Sequence, residues 1–178
     1  MKYFDEIIGA MDMLAQHPKT LFVGQSVVWP GHALFKTLIN VPENKRLELP
    51  VMEEFQMGFS TGLALEGWIP ISIFPRWDFL IVGTNQLVNH LDKIPIISNG
   101  TMRPKVIIRT TVGSVRPFNS GLQHSQDHTE AFKKMLKTVE ILDIHEVEEI
   151  LPAYTKALNR DDGFSTILVE HMDYYNEK

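Results

Sequence analysis

The sequence contains no cysteine, no cluster of basic residues and no long apolar run, and each absence excludes a class of protein. Without cysteine the chain can form no disulfide, no thiolate nucleophile and no cysteine-ligated zinc site. The formal net charge of −5 argues against nucleic-acid binding, because phosphate contacts need a basic face. No apolar run approaches the roughly 20 residues that span a bilayer. The N-terminal stretch carries acids and lacks the long apolar core of a signal peptide. We therefore expect no nucleic-acid partner, no membrane partner and a cytoplasmic location.

The apolar pattern predicts strands that alternate with helices. A chain of 178 residues can form one domain with a full hydrophobic core. The predicted strands cover 20–23, 46–49, 69–74, 105–110, 139–144 and 165–170. The predicted helices cover 4–17, 30–38, 52–66, 78–91, 124–136 and 146–158. A long loop is expected over 111–123, and Asp78 is the expected cap of the fourth helix. Because several strands are apolar on both faces, we expect a single α/β domain over 1–178, with a mostly parallel β-sheet between two layers of helices.

Polar residues follow the first four predicted strands at the points where the strands end. Gln25 follows the first strand and Glu53 the second, while 75–79 follow the third and 123–126 end the loop after the fourth. In open parallel sheets, ligands bind beyond the carboxyl ends of the strands. The sequence therefore predicts a site where a carboxylate, an aromatic cluster and a histidine meet.

Each of these residues also has a simpler interpretation. Glu53 lies in the first turn of a predicted helix, where solvated acids are common. Trp77 and Phe79 can be core residues. His124 and His128 have the i, i+4 spacing of metal ligands on one helix face, but no third ligand is evident, so a metal-binding module is the weaker alternative there and no metal ligand is assigned. The chain has no GxGxxG, Walker A or GxSxG motif. Spacing alone therefore predicts a location and leaves the reaction open.

Three segments, taken in order, resemble the pyrimidine-binding domain of transketolase-like enzymes. The first is Leu-Pro-Val-Met-Glu53, followed by a helix rich in small residues and by the strand Trp-Ile-Pro-Ile. The second is the aromatic turn 74–79, followed by Asn-Gln-Leu-Val-Asn at 85–89. The third is Gly-Leu-Gln-His-Ser-Gln at 121–126. The resemblance runs from about residue 21 to 171 and is strongest to the beta subunit of the 2-oxo acid dehydrogenase decarboxylase component.

The resemblance implies thiamine diphosphate as cofactor and assigns a role to each candidate residue. Glu53 would hydrogen-bond N1′ of the aminopyrimidine, which favours the imino form that activates the thiazolium. Phe79 would stack on the pyrimidine ring, and His124 would face the substrate carbonyl. Trp77 and Gln25 are assigned to the cofactor region. Gln25 departs from the family, which usually has an acid there, and this leaves the preference for a 2-oxo acid or a ketose undefined.

The chain lacks the Gly-Asp-Gly motif with which such enzymes hold Mg²⁺ and the diphosphate. The nearest string, Asp161-Asp162-Gly163, is typical of a loop. We therefore expect an alpha-like partner subunit that carries the diphosphate-binding domain and most of the Mg²⁺ contacts, in an α₂β₂-like assembly. We also expect no third, C-terminal transketolase domain, an expectation that favours a free-standing enzyme over a large dehydrogenase complex. The alternative is a non-catalytic scaffold or regulatory subunit that keeps only the fold and the subunit interface.

Overall fold

The computed structural model describes residues 2–177 and contains one six-stranded sheet. All five strand pairs are parallel, and the strand order is β2-β1-β3-β4-β6-β5. The strands are β1 (Thr20–Gly24), β2 (Arg46–Glu48), β3 (Ile69–Ile73), β4 (Ile107–Val112), β5 (Glu140–Asp143) and β6 (Thr166–His171). The expected α/β fold is confirmed, and the sheet is fully rather than mostly parallel.

Helices cover both faces of the sheet. The α-helices are α1 (Tyr3–Gln16), α2 (Glu53–Leu65), α3 (Trp77–Leu80), α4 (Ile94–Ile97), α5 (Thr129–Met135), α6 (Val147–Asn159) and α7 (Tyr174–Glu177). Short 3-10 helices cover Ala33–Leu38, Glu43–Lys45, Ile81–Gly83 and Leu122–His124, and a π-helix covers Gln86–Leu91. No helix among residues 2–177 has both the length and the apolar character required to cross a bilayer.

The sheet separates two hydrophobic cores. On one face, α1 and α6 pack against alternate strand residues, including Ile107 and Leu168. On the other face, α2, α3 and α5 pack against the intervening residues, including Ile108 and Ile167. Successive side chains of a strand point to opposite faces. The apolar runs in the sequence therefore supply both cores at once.

The predicted helix over 78–91 is present but differs in its start and its geometry. It begins at Trp77 with Arg76 as N-cap residue, so the prediction that Asp78 caps it is wrong. The chain then passes through a 3-10 turn and ends in the π-helix. The side chain of Asp78 instead accepts a hydrogen bond from Gln126 Nε2 at 2.8 Å. It therefore joins the helical segment to the loop that follows β4.

The predicted helix over 124–136 begins five residues later than expected. His124 ends a single 3-10 turn, and α5 starts only at Thr129. Asp127 Oδ1 accepts a hydrogen bond from the backbone N–H of Thr129 at 2.9 Å. This bond satisfies a donor of the first helical turn, which has no partner within the helix. His124 and His128 consequently do not lie on one helix face.

A buried ion pair joins β4 to β6 and reaches three further elements. Arg109 Nε lies 2.5 Å from Glu170 Oε1, and both side chains are fully buried. Arg109 Nη1 also donates to Thr37 Oγ1 at 2.8 Å. The hydroxyls of Tyr154 in α6 and Tyr175 in α7 donate to the two oxygens of Glu170. Each nitrogen of the Arg109 guanidinium and each oxygen of the Glu170 carboxylate therefore has a hydrogen-bond partner.

We predict that Arg109→Met lowers the free energy of unfolding by about 3–5 kcal/mol, because it leaves Glu170 as a buried charge without its counterion. The measurement is urea denaturation followed by circular dichroism. The control is Lys133→Ala, which removes the exposed ion pair between Lys133 and Glu130 and is expected to cost less than about 0.5 kcal/mol. Equal, small losses for the two variants would contradict the structural importance of the buried pair.

Candidate functional site

The candidate site lies where the direction of strand addition reverses. From β1 the chain first adds β2 on one side, and it then adds β3 on the other side of β1. In open parallel sheets such a reversal opens a crevice at the carboxyl ends of the two central strands. The segment after β1 and the N-terminus of α2 both face this part of the sheet. Gln25 and Glu53 therefore lie at the position in the strand order where a ligand is expected to bind.

Gln25 and Glu53 are in direct contact. Gln25 Nε2 donates a hydrogen bond to Glu53 Oε1 at 3.1 Å, and only 7% and 8% of these two residues are exposed. The backbone N–H of Gln25 bonds to Ile73 O at the end of β3. Glu53 Oε2 accepts no hydrogen bond from any other of the residues described. One carboxylate oxygen is thus fixed, and the other remains available to a donor from a ligand.

A polar cluster beneath this pair holds β1, β3 and α2 together. Gln56 Nε2 donates to Ile73 O at 2.8 Å and to Ser72 Oγ at 3.2 Å, and Ser60 Oγ donates to Ser72 Oγ at 2.9 Å. Gly24 lies next to this cluster with φ of +136°, and a Cβ there would stand 2.3 Å from Ile73 O. Only glycine fits this approach of the two strands. The backbone before Gln25 therefore has little freedom.

The carboxylate of Glu48 fixes the loop after β1. It accepts hydrogen bonds from four consecutive backbone N–H groups at 2.6 to 3.2 Å. These donors belong to residues 26–29, and Ser26 has φ of +57°. A chain turn with converging N–H groups binds an anion, and here a side chain of β2 supplies that anion. Glu48 therefore sets the shape of the segment that carries Gln25.

Phe79 and His124 form a second contact at the same end of the sheet. Their rings pack edge to face with centroids 5.7 Å apart, and both residues are half-buried. Arg76 Nη1 donates to the backbone oxygen of His124 at 2.7 Å and to the backbone oxygen of Gly113. Burial lowers the pKa of Arg76 from its ordinary value, while nearby Asp78 opposes this effect. Arg76 thus holds the loop of His124 against the start of α3.

The two pairs of candidate residues are linked through the segment after α3. A Cβ at Gly83 would lie 3.1 Å from the backbone oxygen of Glu53. The turn that follows Phe79 therefore packs against the first residue of α2. This contact places Glu53 next to the segment that follows Phe79, and Phe79 in turn contacts His124.

Trp77 lies in the core and has no exposed surface. Its ring packs against Phe132 with centroids 4.9 Å apart, and its indole N–H donates to Thr129 Oγ1 at 3.1 Å. A buried indole whose N–H is satisfied has no face available to a ligand. The structure therefore places Trp77 among the core residues that position α3 and α5, away from the predicted cofactor contact.

Two supporting residues had no assigned role in the sequence. Glu48 acts on a loop that is about twenty residues earlier in the chain, and no local pattern reveals such a contact. Arg76 lies shortly after β3, and this position at the end of a strand marked its segment as part of the candidate site. Its bonds to the later loop, however, depend on the tertiary fold. Neither His124 nor His128 belongs to a group of clustered ligand atoms among residues 2–177.

Comparisons with known proteins agree with the resemblance that the sequence indicated. No protein-family model matches the chain. The chain is similar to the pyruvate dehydrogenase E1 component subunit beta of Gracilaria tenuistipitata var. liui, with 28% identity over 98% of this chain and 54% of that protein. The chain therefore spans about half the length of this curated relative.

Solved structures show the same fold at lower identity. A split-gene transketolase, described as an inactive beta4 tetramer, matches with a TM-score of 0.71 at 15% identity over 96% of this chain and 51% of that one. A candidate thiamin diphosphate-dependent enzyme from Mycobacterium smegmatis matches with a TM-score of 0.62 at 15% identity over 98% of this chain and 31% of that one. These two likenesses concern the fold.

We predict that Glu48→Gln speeds amide hydrogen exchange in residues 27–29 by at least about tenfold, because hydrogen bonds to a charged acceptor contribute about 1.5–3 kcal/mol. The amide nitrogen of glutamine would face the same N–H donors. Hydrogen-exchange mass spectrometry measures the effect. Glu43→Gln, at an exposed position just before β2, is the matched control and should leave the exchange unchanged. Equal exchange in both variants would show that Glu48 does not hold the loop.

Proposed function

We propose that this chain is the pyrimidine-binding subunit of a heteromeric thiamine diphosphate-dependent enzyme, and that Glu53 activates the cofactor. The observation that carries the proposal is the carboxylate of Glu53, which is buried in the crevice with one oxygen bound by Gln25 and the other available. The resemblance to transketolase-like domains and the similarity to an E1 beta subunit support it. The enzyme would act on a 2-oxo acid or a ketose.

The residues of the crevice fit the aminopyrimidine end of this cofactor. When it is bound, thiamine diphosphate supplies a thiazolium ring. A carbon of this ring adds to a carbonyl, and the ring then accepts electrons. Glu53 Oε2 would share a proton with ring nitrogen N1′ of the pyrimidine. Gln25 would hold the other oxygen, so that the carboxylate keeps its orientation while the proton is shared. A fixed, water-poor acceptor is suited to this role because it needs little reorganisation.

Phe79 and His124 would form the remaining contacts that this chain makes. The half-buried ring of Phe79 offers an apolar face for stacking on a flat heterocycle. His124 packs against that ring, so a donor for a substrate oxygen would stand next to the stacked group. Arg76 would act as a positioning residue, since it bonds to the backbone of His124 rather than to a ligand.

The diphosphate and Mg²⁺ would be held mainly by an alpha-like partner subunit. The chain has no Gly-Asp-Gly motif, and the nearest string lies in the turn between α6 and β6. There the Asp162 carboxylate is already bound by Arg160 at 2.7 and 2.9 Å and by the backbone N–H of Phe164. A carboxylate with these partners is not available to an ion. The assignment of 1–178 to one pyrimidine-binding domain, the α₂β₂-like assembly and the cytoplasmic location stay predictions.

We predict that Glu53→Gln lowers turnover of the assembled enzyme at least about 100-fold, because it removes an acid–base group of the reaction. The assembly would be made by co-expression with the product of the neighbouring gene and supplied with thiamine diphosphate and Mg²⁺. Glu54→Gln is the matched control, since Glu54 is in the same helical turn but is exposed and bonds to Asn85. It should keep near-normal turnover.

The same preparation tests the alternative of a non-catalytic scaffold. Titration calorimetry with thiamine diphosphate and Mg²⁺ should show saturable binding to the wild-type mixture. If the wild-type mixture forms a complex that binds no thiamine diphosphate, the scaffold interpretation replaces the enzyme proposal. If Glu53→Gln turns over like the control, the enzyme proposal survives but Glu53 loses its role.

The outer face of α2 supports self-association. Phe55 and Phe59 stack on this face with ring centroids 5.7 Å apart, and Phe55 is 47% exposed. About two turns beyond Phe55, Gly62 is exposed, and a Cβ there would meet no atom within 4 Å. Exposed aromatic rings beside a glycine offer a second backbone a close approach and an apolar contact. We infer that two copies of the chain meet along this face.

We predict that Gly62→Met dissociates the self-associated form, because the added side chain would fill the space that the second copy needs. The fold itself should be unaffected or more stable, since methionine favours helix more than glycine by nearly 1 kcal/mol. Gly9→Met on α1 is the matched control, because Gly9 is also exposed, helical and without neighbours within 4 Å. Light scattering after size-exclusion chromatography measures the mass. A mass that is unchanged in Gly62→Met would place the interface elsewhere.

A further inference from the structure

Three metal-ligand side chains meet at the carboxyl end of the sheet, far from Glu53. Asp143 ends β5, His171 ends β6, and His145 follows β5 by two residues. Asp143 Oδ1 lies 2.8 Å from His171 Nε2, and Asp143 Oδ2 lies 3.1 Å from His145 Nε2. One ligand atom from each residue lies within 4.8 Å of the other two. Strands β3 and β4 separate this cluster from β1, so it is not part of the crevice described above.

The parallel pairing of β5 and β6 creates the cluster. Asp143 is in register with Val169, so β6 extends two residues beyond the end of β5 and brings His171 level with the chain that leaves β5. The rings of His145 and His171 then stack with centroids 4.3 Å apart. Both imidazoles present Nε2 to the one carboxylate between them. The convergence follows from backbone register, so it does not depend on a flexible loop alone.

We propose that Asp143, His145 and His171 bind a first-row transition-metal dication of the Zn²⁺ type. Two imidazole nitrogens and a carboxylate oxygen are ligands of these ions, and three protein ligands leave a fourth position for water or a partner side chain. Bond lengths of about 2.0–2.2 Å in tetrahedral geometry separate neighbouring ligand atoms by roughly 3.3 Å. The two observed separations from Asp143 are 2.8 Å to His171 and 3.1 Å to His145, and they involve different carboxylate oxygens. Side-chain rotation would therefore have to bring one oxygen and both imidazole nitrogens, which already lie within 4.8 Å of one another, to the distances of a common ion.

The surroundings match those of a metal site that can be loaded from solvent. The side chain of His145 is 48% exposed, while those of Asp143 and His171 are 23% and 14% exposed. Tyr174 Oη lies 3.4 Å from His145 Nδ1, where it can accept the N–H that a metal-bound imidazole carries on its other nitrogen.

The test is titration calorimetry of chelator-treated full-length protein with ZnCl₂, together with the visible absorption of Co²⁺ added in its place. Wild type should bind one Zn²⁺ per chain and give a Co²⁺ spectrum typical of four-coordinate nitrogen and oxygen ligands. His171→Asn and Asp143→Asn should each weaken Zn²⁺ binding at least tenfold and abolish the spectrum. His90→Asn, which removes an exposed histidine outside the cluster, should bind as wild type does.

A thermal scan with and without ZnCl₂ separates loss of binding from loss of folding. Zn²⁺ should raise the Tm of wild type and of His90→Asn, and leave the Tm of the two cluster variants unchanged although they are folded. Absence of saturable Zn²⁺ binding to wild type would overturn the proposal and leave the cluster as a carboxylate bonded by two imidazoles. Equal binding by wild type and the cluster variants would overturn it as well.

Discussion

The fold depends on a charged pair that is sealed from water in the middle of the sheet. Taking Arg109 and Glu170 out of water carries a large desolvation cost, which only dense hydrogen bonding can offset. The surrounding hydroxyls provide it. Burial raises the pKa of Tyr154 and of Tyr175 well above the ordinary value, so both phenols stay protonated and act as donors to the carboxylate. The pair therefore specifies how α6 and α7 pack against β4 and β6, where apolar contacts alone would tolerate several arrangements.

The geometry of the candidate site depends on two groups of hydrogen-bonded polar residues. On one side, Glu48 and Gln56 hold the ends of β1 and β3. Gln25 and Glu53 lie next to these strand ends. On the other side, β4 is anchored by Arg109, and the loop that leaves it is held by Arg76. The candidate site residues are thus supported by groups to which the proposal assigns no contact with a ligand. Hydrogen-bonded polar side chains of this kind give a rigid framework for groups that must stay in place.

Much of this architecture could be predicted from the sequence, because it follows from local patterns. Apolar runs between turn residues predicted all six strands, and the order of strands and helices predicted a covered parallel sheet. Glu53 was expected at the start of a helix after the second strand, and α2 begins at that residue. Burial of Glu53 against Gln25 agrees with a role in a crevice, although its chemistry was indicated only by the resemblance to a known family.

What could not be predicted depends on contacts between distant segments. The local spacing of apolar and polar residues does not indicate two of these contacts. They are the bonds of Glu48 to residues 26–29 and the pairing of Arg109 with Glu170. The helix after β3 changes from 3-10 to π geometry, and no local pattern in the sequence indicates this change. The start of α5 was misplaced because residues 123–128 are all polar and give no apolar pattern that marks where the helix begins. The Asp127 side chain bonds to the first turn at Thr129. Trp77 was assigned to the cofactor region because of its neighbours in the sequence, whereas its burial in the core depends on the tertiary fold.

The two outermost strands have a consequence for how this molecule can be built into larger assemblies. β2 has three residues and β5 has four, and both carry charged side chains at their ends. Such short edge strands expose few unpaired backbone groups and are therefore a poor template for another chain. Short, charged edge strands also disfavour continuation of a sheet from one molecule to the next. Growth by strand addition is therefore disfavoured in both directions, which protects an all-parallel sheet from aggregation and leaves helical surfaces to form its specific contacts.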